Sequence, residues 1–285
     1  MNLAMNHLRW RLMVAQFKQQ KTGLVALIIL AIFVLASVFA FLSPHDPNKL
    51  VVMDRLKPPS AAHWFGTDDY GRDYFARALY GGRVSLSVGF LSMIVSVTLG
   101  TAVGTISGYF GGKIDNLLMR IVDILMSIPS FFLMLILNAY LRPGIGTIVL
   151  IIGILSWMNI SRIVRAETLS VKEREYVLYA KVSGQSTFGI IMKHIIPSIM
   201  PTIIVSATMT IASAILMESS LSFLGLGVKQ PNSSWGSMLN DAQGFISDAP
   251  YMAIFPGLLI LITVLSFNFL GDIFRTAFEP KVNKR

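Results

Sequence analysis

The chain is predicted to be an all-α integral membrane protein with six transmembrane helices. Apolar residues make up 54% of its 285 positions and charged residues only 14%, where ordinary globular chains carry about a quarter charged. The apolar residues come in long uncharged runs, which a soluble core does not need, and mean hydropathy is +0.64. The basic residues gather on one side of those runs.

Residues 1–23 hold Arg9, Arg11, Lys18 and Lys21 and no acid, and form a short N-terminal segment. Leu24 to Leu42 is then uncharged. At 1.5 Å per residue its nineteen residues reach roughly 28 Å, enough for a bilayer core. Val38-Phe39-Ala40 has the look of a cleavage site. The run is too long for a signal-peptide core, so an uncleaved anchor is expected.

Pro44 to Arg83 is polar and turn-rich, a loop with a short amphipathic helix at Tyr74–Tyr80. Its Trp64, Phe65, Tyr70 and Tyr74 suit an interfacial aromatic belt. The second span, Val84 to Tyr109, carries Gly100, Gly104 and Gly108. Four-residue spacing puts them on one helix face, where a neighbouring backbone can come close.

A GGKID turn leads to the third span, Leu117–Leu141, with Pro129 as an expected kink. After RPGIG, the fourth span runs from Thr147 to about Ile160 and continues into a charged section from Arg162. A polar loop at 162–194 separates it from the fifth span, Ile195 to Met217. A second loop at 218–250 precedes the last span, Tyr251–Leu270. The transmembrane body is therefore 24–272, with a basic tail at 273–285.

Six spans put both termini on one side. That side carries sixteen Lys and Arg against seven acids, and the other side eight against eight, so the whole net charge of +9 lies on one face. By the positive-inside rule it is cytoplasmic. Both termini and the 162–194 loop are expected inside, and the 44–83 and 218–250 loops outside. The basic balance is then topology in contact with membrane lipid, not nucleic-acid binding.

Catalytic chemistry is missing from the pattern. There is no cysteine, which excludes disulfides and thiolate sites. Gly111-Gly112-Lys113-Ile114 lacks both the first glycine and the hydroxyl of a Walker A loop. His7, His45, His63 and His194 are scattered along the sequence, and no metal or catalytic set is expected. Asp123, Glu218 and Asp272 fall at span ends, where capping or pairing is a better reading than a proton relay. A pore without an engine, but with a conspicuous polar loop, points to a subunit of a driven transporter.

The 162–197 segment resembles the loop of ABC importer permeases, E-A-A-x3-G-x9-I-x-L-P. Ala180, Gly184 and Pro197 match and Ile196 stands in for the leucine, while Leu178, Tyr179 and His194 depart. WFGTDDYGRD at 64–73, ARALYGGRVSLSVG at 76–89, GYFGGKID at 108–115 and REYVLYAKVSG at 174–184 also resemble one subfamily. So do ESSLSFLGLGV at 218–228, SWGSML at 234–239 and FPGLLILITVLSFNFLGD at 255–272. It is the second, C-type permease of oligopeptide, dipeptide and nickel importers, matched in order over about residues 20–280.

The resemblance implies a type I ABC importer permease fold with a cytoplasmic coupling helix. It implies a second permease subunit, two cytoplasmic ATPase subunits holding ATP and Mg, and an extracytoplasmic substrate-binding protein. No cofactor is expected in this chain. Glu175, Tyr176, Val177, Tyr179, Ala180 and Gly184 become the expected ATPase-coupling residues, with Ala180 allowing close approach and Gly184 the bend. The expected site is the cytoplasmic membrane of a prokaryote. Peptide is the expected cargo; a nickel or metal chelate or haem, or a stand-alone secondary transporter, are the alternatives.

Overall fold

The computed structural model describes residues 21–141 and 144–278. The basic N-terminal stretch before Lys21, the arginine of the RPGIG turn and the end of the tail lie outside them. Among the described residues the regular elements are helices, joined by turns and loops, with one isolated bridge between Thr67 and Asp73. Five helices are long and apolar enough to cross a membrane. They are α1 (Lys21–Val38), α2 (Tyr74–Phe110), α5 (Ile145–Lys172), α7 (Thr187–Phe223) and α9 (Tyr251–Phe278). The pair α3 (Gly112–Met126) and α4 (Ser130–Tyr140), bent by 75°, makes a sixth candidate when taken together as one broken span. Two short helices, α6 (Glu175–Val182) and α8 (Trp235–Ala242), complete the set.

Several boundaries differ from expectation, each for a local reason. The short helix at Tyr74–Tyr80 and the second span are one helix of 37 residues. Asp73 caps its start, accepting the Ala76 amide at 2.7 Å, so the chain needs no turn at Gly81-Gly82. Pro129 does not kink a continuous span. It is the N-cap of α4 after a break at Ser127, because proline offers no amide to carry the helix through. The charged stretch from Arg162, expected as part of a polar loop, stays helical and carries α5 on to Lys172. The loop expected from 218 begins only after Phe223.

Three apolar clusters hold the bundle. The first joins the start of α2 (Tyr74, Ala78) to α7, α8 and α9 through Ile215, Trp235, Met238, Met252 and Ile260. The second seats Val88 of α2 and Met134 of α4 against Ile148 and Ile152 of α5. The third lies at the other end of α5, where Ile160, Val164 and Val171 meet α6 and the first turns of α7. Helix α1 rests on α9 through Ala26, Leu30 and Leu270. Its C-terminal carbonyls, at Ser37 and Val38, accept from the Arg83 guanidinium at 2.6 and 2.7 Å.

The closest helix pair is α2 on α5. A Cβ added at Gly100 would lie 2.7 Å from the Ile160 Cβ, at Gly104 2.5 Å from the Ser161 carbonyl oxygen, and at Gly108 2.7 Å from the Thr168 Cβ. Real side chains do not come so near, so the three positions on this face admit only hydrogen.

Candidate functional site

Helix α6 stands between α5 and α7 at the α5 C-terminus. Arg174 leaves helical geometry and α6 restarts at Glu175. Its inner face is Val177 and Ala180, each 2% exposed, set among Val171, Ile190, Ile195 and Ile199. Its outer face carries Tyr176, Leu178, Tyr179 and Val182, the last two 75% and 87% exposed. Phe188, exposed on the next turn of chain, adds to that apolar surface. Glu175 belongs to the first turn, where a carboxylate suits the positive end of the helix.

Gly184 ends α6 in the left-handed region, with φ +76. Its amide donates to Lys181 O and the Gln185 amide to Ala180 O, both at 3.1 Å, the paired bonds of a Schellman closure. Val177 and Ala180, expected as contacts for an ATPase, are therefore used inside this chain. With one face of a two-turn helix committed to its own core, only the opposite face can meet a partner.

Two polar links tie α6 to the base of α7. The Tyr176 and Ser198 hydroxyls lie 2.8 Å apart, and the His194 Nε2 lies 3.0 Å from the Gln185 Oε1. Between them α7 widens into a π-helical turn at Ile191–Ile195. Pro197 and Pro201 follow, and neither can donate to the preceding turn. Helix α3 is fixed to α5 nearby: Arg165 donates twice to Asp115 at 2.5 Å, Ser107 donates to the same carboxylate, and Arg162 pairs with Asp123.

The opposite end of the bundle holds buried polar groups. Glu218, read as a capping or pairing group at a span end, is wholly buried near the end of α7. It accepts from Ser222 at 2.7 Å and from Ser85 of α2 at 3.1 Å. Ser85 in turn accepts the Trp235 amide at the start of α8. The local signal was the ESSLS string, a carboxylate with hydroxyls on the same helix. Asp68 receives the Arg72 Nε at 2.6 Å, and the Arg77 guanidinium lies between Asp68 and Asp241. Burial raises the pKa of both the Asp69 and Asp241 carboxyls, and the neighbouring Asp68 adds to the shift at Asp69.

The histidines are less scattered than the sequence suggests. His45 and His63 place their rings 5.2 Å apart, and the His63 Nδ1 donates to the Asp73 Oδ2 at 2.8 Å. His194 stays with Gln185 at the other end.

The site is thus a short helix presented beside two spans of a multi-span helical body. Residues 100–284 match the model described as "Binding-protein-dependent transport system inner membrane component", and residues 9–59 match "N-terminal TM domain of oligopeptide transport permease C". The chain belongs to the family of binding-protein-dependent transport system inner membrane components. It is 40% identical over 277 residues to the dipeptide transport system permease protein DppC of Bacillus subtilis (strain 168), covering 96% of this chain and 85% of that one. It is 40% identical over 259 residues to the oligopeptide transport system permease protein OppC of Escherichia coli (strain K12), covering 91% and 86%. The glutathione transport system permease protein GsiD of Pectobacterium atrosepticum is 39% identical, covering 96% and 90%. Among solved structures, the inward-facing MetNI methionine ABC transporter in its native crystal form is similar with a TM-score of 0.57. At 21% identity over 70% of this chain and 96% of that one, it shares the fold.

Proposed function

We propose that the chain is a pore-forming permease subunit of an ATP-driven peptide importer, coupled to its ATPase through α6. The observation that carries the coupling is the division of α6 into two faces. One face is embedded in the core between α5 and α7, so α6 cannot shift without them. The other presents Leu178, Tyr179, Val182 and Phe188 to whatever lies beyond. An apolar and aromatic patch on a rigid base is the surface a partner protein uses as an anchor.

The concentration of positive charge supports placing α6 and both termini in the cytoplasm of a prokaryote. There α6 would seat on one of two ATPase subunits that hold ATP and Mg. The exposed apolar side chains of α3 and α4, including Ile121, Ile124, Phe132 and Ile136, suit a second permease subunit. A substrate-binding protein would deliver cargo at the opposite face. Relatives named for dipeptide, oligopeptide and glutathione transport support peptides as that cargo. ATP-driven closure then acts on the spans only through its different affinity for their two arrangements.

Tyr179→Asp and Val182→Asp change only exposed positions. Each is expected to cut ATP-dependent peptide uptake in reconstituted vesicles by roughly tenfold or more at normal membrane abundance. Because the chain has no cysteine, a single cysteine at position 182 should also cross-link to the ATPase. Uptake at the wild-type rate in both variants, without a cross-link, would refute the coupling role.

A further inference from the structure

We propose that His45, His63 and Asp73 form a binding site for a zinc-like divalent cation, which staples the 45–63 loop to the start of α2. One donor atom from each residue lies within 4.8 Å of the other two. Two imidazoles and one carboxylate suit zinc, nickel or copper, and are a poor match for calcium or magnesium, which prefer all-oxygen ligands. Neither the transport reading nor the relatives' names call on these residues.

Two of the three ligands are already held in place. The Asp73 Oδ1 accepts the Ala76 amide at 2.7 Å, fixing the carboxylate on the first turn of α2. Its Oδ2 holds the His63 Nδ1 at 2.8 Å, with side-chain exposures of 17% for His63 and 4% for Asp73. His45 is the adjustable ligand. It is exposed, and its Nε2 is 3.2 Å from the Ala62 carbonyl oxygen.

Tetrahedral coordination at about 2.1 Å sets ligand atoms about 3.4 Å apart. Rotation of the exposed His45 ring closes the difference, and the cation takes the place of the proton between His63 and Asp73. That proton is released to solvent, as metal binding to a protonated ligand set requires. A water or the Ala62 carbonyl completes the shell. Once bound, the metal closes a loop that carries Lys49, Arg55 and Lys57.

The test uses the full-length chain, purified with a histidine-free tag, stripped with chelator and titrated with zinc chloride against a chromophoric competitor. The expected result is one zinc per chain, with slower tryptic cleavage after Lys49 and Arg55, the Lys57–Pro58 bond being resistant to trypsin in either state. His45→Ala should weaken binding by at least about tenfold and abolish the protection. His45→Ala is the decisive variant, because it leaves the Asp73 cap and its bond to His63 intact. Failure to retain zinc, retention unchanged in His45→Ala, or a cleavage pattern indifferent to zinc would each overturn the proposal. Uptake is not part of the readout, so the result stands apart from the transport reading.

Discussion

Replacing Gly104 by alanine adds one methyl group where the α2–α5 interface has no room for it. The new Cβ would lie 2.5 Å from the Ser161 carbonyl oxygen and 2.8 Å from the Val164 Cβ. Ordinary contact begins near 3.4 Å, so the shortfalls are about 0.9 and 0.6 Å. The nearer atom belongs to the α5 backbone and cannot rotate aside, so the helices must part, and Gly100 and Gly108 lose their contacts with them. Overpacking of this kind costs about 1–3 kcal/mol, against about 1 kcal/mol gained from alanine's higher helix propensity. Gly257→Ala in α9 is the control, since nothing lies within 4 Å of its added Cβ and only the propensity gain remains. The two substitutions should therefore shift thermal stability in opposite directions, by a few degrees at about 2–4 °C per kcal/mol. Size-exclusion of heated, detergent-solubilised protein measures this directly. A Gly104→Ala chain as stable as Gly257→Ala would refute the reasoning. Adding Val164→Ala should restore none of the loss, because alanine keeps the Cβ at position 164 and the clash with the Ser161 carbonyl also persists.

Two further outcomes follow from the buried carboxylates. Glu218→Ala strands hydroxyls on Ser85 and Ser222 and should cost about 1–3 kcal/mol in a thermal or denaturant assay. Glu218→Gln keeps an acceptor and should lose less; equal losses would show that the bonds carry no stability. At Asp241 the folded-state pKa is raised by burial, so the folded chain binds the proton more tightly than the unfolded one. That contribution is present in acid and is lost as pH rises through the folded pKa. The stability of Asp241→Asn relative to wild type should therefore rise as pH climbs from the ordinary carboxylate range through the raised folded pKa, and a flat difference would exclude it.

The spans were legible because bilayer length and lack of charge are written locally in the chain. Their ends were not. Arg77 and Arg83 made the start of α2 look like loop, yet their partners are Asp68, Asp241 and the last carbonyls of α1, which only the fold brings near. The burial of Glu218 was hidden for the same reason: Ser85, one of its hydroxyl donors, comes from 133 residues away. In α6 the residue types were readable and their directions were not. Val177 and Tyr179 are both apolar enough for either face, and a helix of eight residues is too short for periodicity to choose. The glycines of α2 gave their shared face by spacing alone, but the identity of the opposing helix needed the structure. The nearness of His45 to His63 depends on loop geometry with no sequence signature.

The committed inner face of α6 has a mechanical consequence. Because α6 is rooted in α5 and the Ile160, Val164 and Thr168 side chains of α5 are pressed against the glycine face of α2, a push on α6 would be delivered to a stiff rod and not to a hinge. Helix α5 has 28 residues, a length of about 42 Å. A tilt of about 5° at its α6 end would sweep the far end through roughly 3.7 Å over that length, about the thickness of an extended peptide backbone. On the proposed coupling role of α6, a small rocking movement at one end of the bundle would be enough to open or shut a passage at the other.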